Sequence, residues 1–246
     1  MDKIFTTEPY RVATYCLRQY AIEKGWEHLD DMVIDAQDIY DTVIYPEYEI
    51  NLSTNKDLGY ADDGKILGMT IATENLILID RSIAPGTNDS RYSFTLAHEI
   101  GHALLHNESD QHLSFTTEQS IYNEYYLNES NADCFAERLL VPHELLVLRF
   151  KQCYGACDEF FYTGPGTYRI NQVEACIESL SDFYLKLTEA LSCYFPGIPA
   201  DFLVLMLKRW RFIEDKTIKP RDVQKMQNFL INGSVLYKFA ESCGGK

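Results

Sequence analysis

One stretch, SFTLAHEIGHALLH at 93–106, constrains this chain more than any other. Phe94, Leu96, Ala97, Ile100, Ala103, Leu104 and Leu105 cover most sides of a helical period, which predicts a helix held in apolar surroundings. His98 and His102 stand four apart, so both imidazoles leave one face of that helix and can grip a single ion. Glu99 sits next to that face. Three polar groups without partners would be costly there. Chance is a weak explanation, since with 6 histidines a random His-Glu-x-x-His is expected in roughly one such chain in a hundred.

Zinc takes neutral imidazole nitrogens at about 2.0–2.1 Å, and a catalytic site keeps one position open beside three protein ligands. Glu99 is then placed to deprotonate a water at that position. His106 extends the four-residue ladder, but three rungs span about 12 Å of helix axis, too far for one ion; it is read as a packing or hydrogen-bonding residue. The arrangement with a further histidine, HExxHxxGxxH, is excluded because Leu105 and Glu108 hold its Gly and His positions.

A downstream glutamate is therefore the expected third ligand, from among Glu108, Glu118, Glu124, Glu129, Glu137 and Glu144. Glu129 alone opens a helical stretch, ESNADCFAERLLVP, with Asp133 one turn later on the same face. Asp133 would accept the remaining N–H of a ligand histidine and so fix its tautomer. Donors to a developing oxyanion are sought among His112, Tyr122, Tyr125, Tyr126 and His143, and sequence does not choose between them.

With 246 residues, 46% of them apolar, the chain suits one large domain or a domain with an extension. The N-terminal MDKIFTTEPYR has no apolar signal region, and the longest clean apolar run, 202–207, is too short to span a bilayer; a cytoplasmic location is the expectation. Seven irregularly spaced cysteines predict free thiols. Cys153 and Cys157 lack the second close-spaced pair of a structural zinc site.

Charge is uneven. Residues 1–144 carry 9 basic and 26 acidic side chains, whereas 145–246 carry 13 and 11. The first part should repel phosphate backbones, and direct nucleic-acid binding is not expected. The basic run Lys208, Arg209, Arg211, Lys216, Lys219, Arg221 and Lys225, with Trp210, is read as a solvated helix face.

For the rest, Pro9 at a first-turn position predicts a helix from Thr7 or Glu8 to Gly25. Short β-rich runs follow from about 32 to 80, with 66–72 and 76–80 as a hairpin. Leu76–Asp80 is the candidate edge strand for an added peptide. Beyond Asn128 the pattern predicts helices over about 128–141, 144–153, 170–194, 200–213 and 221–240. The fold class is α+β, helix-dominated.

RYSFTLAHEIGHALLH followed in order by ESNADCFAERLLVP resembles the core of the ImmA/IrrE-type metallopeptidases over roughly residues 60–144. The likeness implies a zincin-like peptidase core, which with the small β-sheet is placed over 1–144; the α-helical region 145–246 carries no such likeness, and its shift in composition makes it the candidate for substrate recognition. It implies Zn2+ held by His98, His102 and Glu129, with Glu99 as catalytic base. The implied partner is a protein substrate, a helix-turn-helix transcriptional repressor of a mobile element or stress regulon. The alternative is a zinc-bearing regulator that binds its partner without cutting it. The chain departs from longer relatives in carrying no convincing helix-turn-helix segment ahead of the core and no room for their sensor domain.

Overall fold

The computed structural model describes residues 7–62, 64–87, 91–105, 114–117, 127–155, 159–171 and 173–217. Helix α1 (Glu8–Glu23) starts with Pro9 in its first turn and stops before Gly25, whose φ of +66° only glycine takes without strain. Tyr10, Ala13, Cys16, Leu17 and Tyr20 recur at helical spacing and are buried. Tyr20 donates to Asp38 Oδ2 at 2.5 Å, tying α1 to the helical run of α2 (Ala36–Ile39), a π-helical stretch (Tyr40–Ile44) and α3 (Tyr45–Tyr48).

Strands β1 (Asn51–Lys56), β2 (Tyr60–Ala61), β3 (Gly64–Ile71), β4 (Leu76–Asp80) and β5 (Ser114–Thr117) form one mixed sheet in the order β1-β4-β3-β2, with β5 also paired to β3. The expected hairpin is β3 with β4, antiparallel through Met69↔Leu78, closed by a short 3-10 turn and by Asn75 at φ +47°. The expectation that Leu76–Asp80 is an edge strand is overturned. β4 lies between β3 and β1, pairing with β1 in parallel through Leu52↔Ile77, and Ile77 to Asp80 are all buried. Among the described residues β5 pairs with β3 alone, antiparallel, with Gly68↔Thr116 and Thr70↔Ser114.

Helix α4 (Arg91–Leu105) lies on β3 and β4 and crosses against α5 (Leu127–Leu140), which also packs on α1. The remainder comprises α6 (His143–Tyr154), β6 (Phe160–Tyr162), β7 (Gly166–Ile170), β8 (Val173–Ile177), α7 (Leu180–Ser192), α8 (Ala200–Arg209) and β9 (Ile213–Asp215).

Here the expected helix over 170–194 is corrected. Its first part is strand: β7 and β8 form an antiparallel hairpin, turning at Asn171 with φ +49°, and α7 begins only after Ser179, whose side chain accepts from Asp182 N. Along β8, exposed Val173, Glu174 and Cys176 bracket half-buried Ala175 and lead to buried Ile177, a signal too short to stand out from a helical one. A second two-stranded sheet pairs β6 with β9 in parallel, so the C-terminal region is mixed and not purely helical. The helix expected over 221–240 lies outside the described residues.

One apolar core runs through both parts of the chain. Phe94 of α4 meets Phe202 of α8 with ring centroids 5.1 Å apart, and Phe150 of α6 meets Phe212 at 4.6 Å. Arg149, buried on α6, donates to the backbone carbonyls of Asp30 (2.8 Å) and Met32 (3.3 Å) and lies 4.8 Å from the ring centre of Tyr194. Since α6 begins at His143, the domain boundary expected after 144 falls inside a helix.

Candidate metal centre

Two helices build the site. Helix α4 buries every residue from Phe94 to His102, so His98 (1% exposed), Glu99 (0%) and His102 (3%) are held where water does not reach freely. Helix α5 comes close because Gly101 offers no side chain. A Cβ there would stand 3.0 Å from Ala132 Cα and 3.2 Å from Ala132 O. Ala132 is flanked by Glu129 and Asp133 on the same helix, so this contact brings both carboxylates to the histidines.

The polar atoms converge. His98 Nε2 lies 2.9 Å from His102 Nε2. Glu129 spans both, with Oε2 at 3.2 Å from His98 Nε2 and Oε1 at 3.4 Å from His102 Nε2. A tetrahedral ion with bonds of ~2.0–2.1 Å has ligand-to-ligand edges of about 3.3 Å. The two nitrogen–oxygen separations fall at that value, and one ligand atom from each of the three residues lies within 4.8 Å of the others. A donor set of two imidazoles and one carboxylate, with the carboxylate still partly exposed, fits a divalent ion that keeps an open position.

His98 Nδ1–H donates to Asp133 Oδ1 at 2.8 Å, which turns Nε2 toward the centre. Burial alone would lower the His98 pKa, but the Asp133 and Glu129 carboxylates outweigh it and lift it to about 10. Burial would conversely raise the Glu129 carboxyl; the two imidazoles beside it hold it far below the usual range. The metal-free centre is thus a cluster that keeps protons where a cation would sit.

Glu99 turns away from α5 toward the sheet, where its Oε2 accepts a 2.6 Å hydrogen bond from Thr70 Oγ1 on β3. Thr70 went unnoticed in the sequence, because nothing in a strand pattern says which helix residue it will face. The rival glutamates that are described are engaged elsewhere: Glu137 pairs with Arg209 and Glu144 with Arg138. Glu108, Glu118 and Glu124 lie outside the described residues, as do His106, His112, Tyr122, Tyr125, Tyr126 and Cys157. The His143 ring lies tilted against Trp210 with centroids 4.2 Å apart, and burial lowers its pKa. Cys153 is a free, buried thiol.

Three cations of the basic run have partners within the chain, while Arg211 is exposed. Lys208 lies over the Tyr184 ring, Arg209 pairs with Glu137, and Lys216 pairs with Glu214. No helix among the described residues is long and apolar enough to cross a membrane.

No curated protein matches the chain. Residues 72–154, about a third of its length, match the family model of the IrrE N-terminal-like domain, peptidase family M78. That span holds both histidines, both acidic partners and Glu99, on the two helices that meet at Gly101. The segment that builds the centre is therefore similar to the ImmA/IrrE family of metallopeptidases.

Proposed function

We propose that this chain is a zinc-dependent endopeptidase that cuts a protein substrate, a helix-turn-helix transcriptional repressor. The observation that carries the reading is the convergence of His98, His102 and Glu129 beside a buried Glu99. Zinc held there would supply a Lewis acid for the scissile carbonyl and lower the pKa of a water.

The chain's own residues do the rest. Asp133 fixes His98 with Nδ1 protonated, so that Nε2 faces the centre. Glu99 accepts a proton from the attacking water and returns it toward the leaving amine, and its carboxylate is kept in place by Thr70. β5 is the proposed docking edge, because its pairing partners on β3 include Gly68 and Thr70, both beside Glu99. An extended peptide can add there as a further strand.

The choice of a repressor rests on the family likeness and on charge. The first 144 residues carry 26 acidic against 9 basic side chains, a surface that attracts proteins with basic DNA-binding faces. The C-terminal region from 145 is proposed to select the substrate.

The test is to incubate the zinc-loaded protein with a panel of helix-turn-helix proteins from the same genome, starting with any encoded by an adjacent gene. Glu99→Gln should keep its zinc and its binding partner while cleavage falls by about 10²–10⁴-fold, the usual contribution of a general base. If wild type and Glu99→Gln both relieve repression with no peptide bond cut, the chain is a zinc-bearing binding module.

A further inference from the structure

Strand β3 meets Glu99 at two positions that share one face of the sheet, Gly68 and Thr70. At Gly68 the bare backbone leaves a slot: a Cβ built there would stand 2.7 Å from Glu99 Oε1 and 2.9 Å from Glu99 Cγ. Both distances are shorter than real Cβ contacts allow, so any side chain at 68 displaces Glu99 or Thr95, whose Cγ2 is also at 2.7 Å. At Thr70 the hydroxyl reaches Glu99 twice, at 2.6 Å to Oε2 and 3.1 Å to the backbone oxygen. One hydroxyl has a single proton, and the shorter contact, to the carboxylate, takes it.

Together these contacts restrict a side chain with three rotatable bonds. One carboxylate oxygen is tied to a hydroxyl and the other occupies the space that a side chain at 68 would fill. Thr70 is 4% exposed and Glu99 fully buried, so water does not compete well for either. We infer that Gly68 and Thr70 form a seat that sets the direction of the Glu99 carboxylate, with Thr70 a positioning residue for the proton transfer. The inference rests on the peptidase reading for its consequence and on β3 alone for its geometry.

A base held within a few tenths of an ångström of its working position loses rate steeply when released, since a shift of about 1 Å can cost ~10²-fold. Thr70→Val keeps shape and β-branching but removes the hydroxyl. On whichever repressor wild type cuts, kcat should fall roughly 10–100-fold with KM and zinc content unchanged. Thr70→Ser restores the hydroxyl and should recover kcat to within about threefold of wild type. Val and Ser variants equally impaired, or a Val variant with wild-type kcat, would overturn the inference.

A second measurement needs no substrate. Melting temperatures of wild type, Thr70→Val, Glu99→Ala and the double variant, taken with and without chelator, form a double-mutant cycle. Thr70→Val alone should lower the midpoint by about 5 °C, and in the Glu99→Ala background by much less. Strict additivity would refute the seat, whether or not the protein proves to be a peptidase. A non-additive cycle in a protein that cuts nothing would keep the seat and reject the peptidase reading.

Discussion

Gly101 of α4 and Ala132 of α5 touch backbone to backbone, so closely that a methyl group at 101 would fall 3.0 Å from Ala132 Cα. The separation of the two helices, and with it the reach of Glu129 to His98 and His102, is set at this point. Gly101→Ala gains up to about 1 kcal/mol in helix propensity, yet it must push α5 outward. Zinc affinity should fall roughly tenfold, at the lower end of what disturbed outer contacts cost. Competition against a chromophoric chelator measures it, and unchanged affinity would mean that the seam yields elsewhere.

Asp133 reaches the centre through His98 Nδ1. Asp133→Ala should weaken zinc binding by about 10–100-fold. Proton linkage gives a second signature. The carboxylates lift the His98 pKa to about 10, so at neutral pH the metal-free protein carries a proton that zinc must expel. Affinity should therefore rise with pH across neutrality, and calorimetry in two buffers of different ionisation enthalpy should detect the released proton. A pH-independent affinity would contradict this protonation state.

Asp80 ends β4 with its carboxylate buried. Burial alone would raise its pKa, but bonds from Ser82 N and Leu58 N, both at 2.8 Å, and from Lys65 at 2.9 Å bring it down to about 2. A depressed carboxylate contributes stability that is complete above its unfolded pKa and lost as pH falls toward the folded one. Between about pH 5 and 2 this site should lose ~2 kcal/mol of stability. Asp80→Asn should already lack most of that contribution at pH 7, and its denaturation midpoint should depend less on acid than that of wild type.

Thr95 supplies a contrast with Thr70. Both are buried threonines at the seam of α4 and β3, but among the described residues Thr95 Oγ1 has no hydrogen-bond partner. Replacing an unsatisfied hydroxyl by a methyl of the same shape removes a desolvation penalty. Thr95→Val should be neutral or stabilising by about 1 kcal/mol, opposite in sign to Thr70→Val. Thermal denaturation of the pair decides it.

The two histidines of the candidate centre were legible because histidine is rare here and its four-residue spacing has few structural explanations in an apolar helix. Glu129 and Asp133 were legible for a related reason, as acidic residues one turn apart at the head of a helix that otherwise reads as core. Thr70, Gly68 and Gly101 were not, because their roles exist only once a strand and a second helix are laid against α4. The central place of β4 was hidden by its partner: β1 reads NLSTNK, with no apolar signal to announce a fifth pairing segment. The β7–β8 hairpin was lost to the short alternation of Val173 to Ile177.

The family likeness ends at residue 154, but the packing does not. Phe94, one helical turn ahead of His98, closes its ring against Phe202, and Arg149 holds the carbonyls of Asp30 and Met32 while resting on Tyr194. A fragment trimmed to the matched residues would expose those ring faces, leave a buried guanidinium without its two backbone acceptors, and present a sticky surface to other chains. The amides of α4 and α8 should accordingly open as one unit in hydrogen exchange, with the matched segment stable only as part of a larger body.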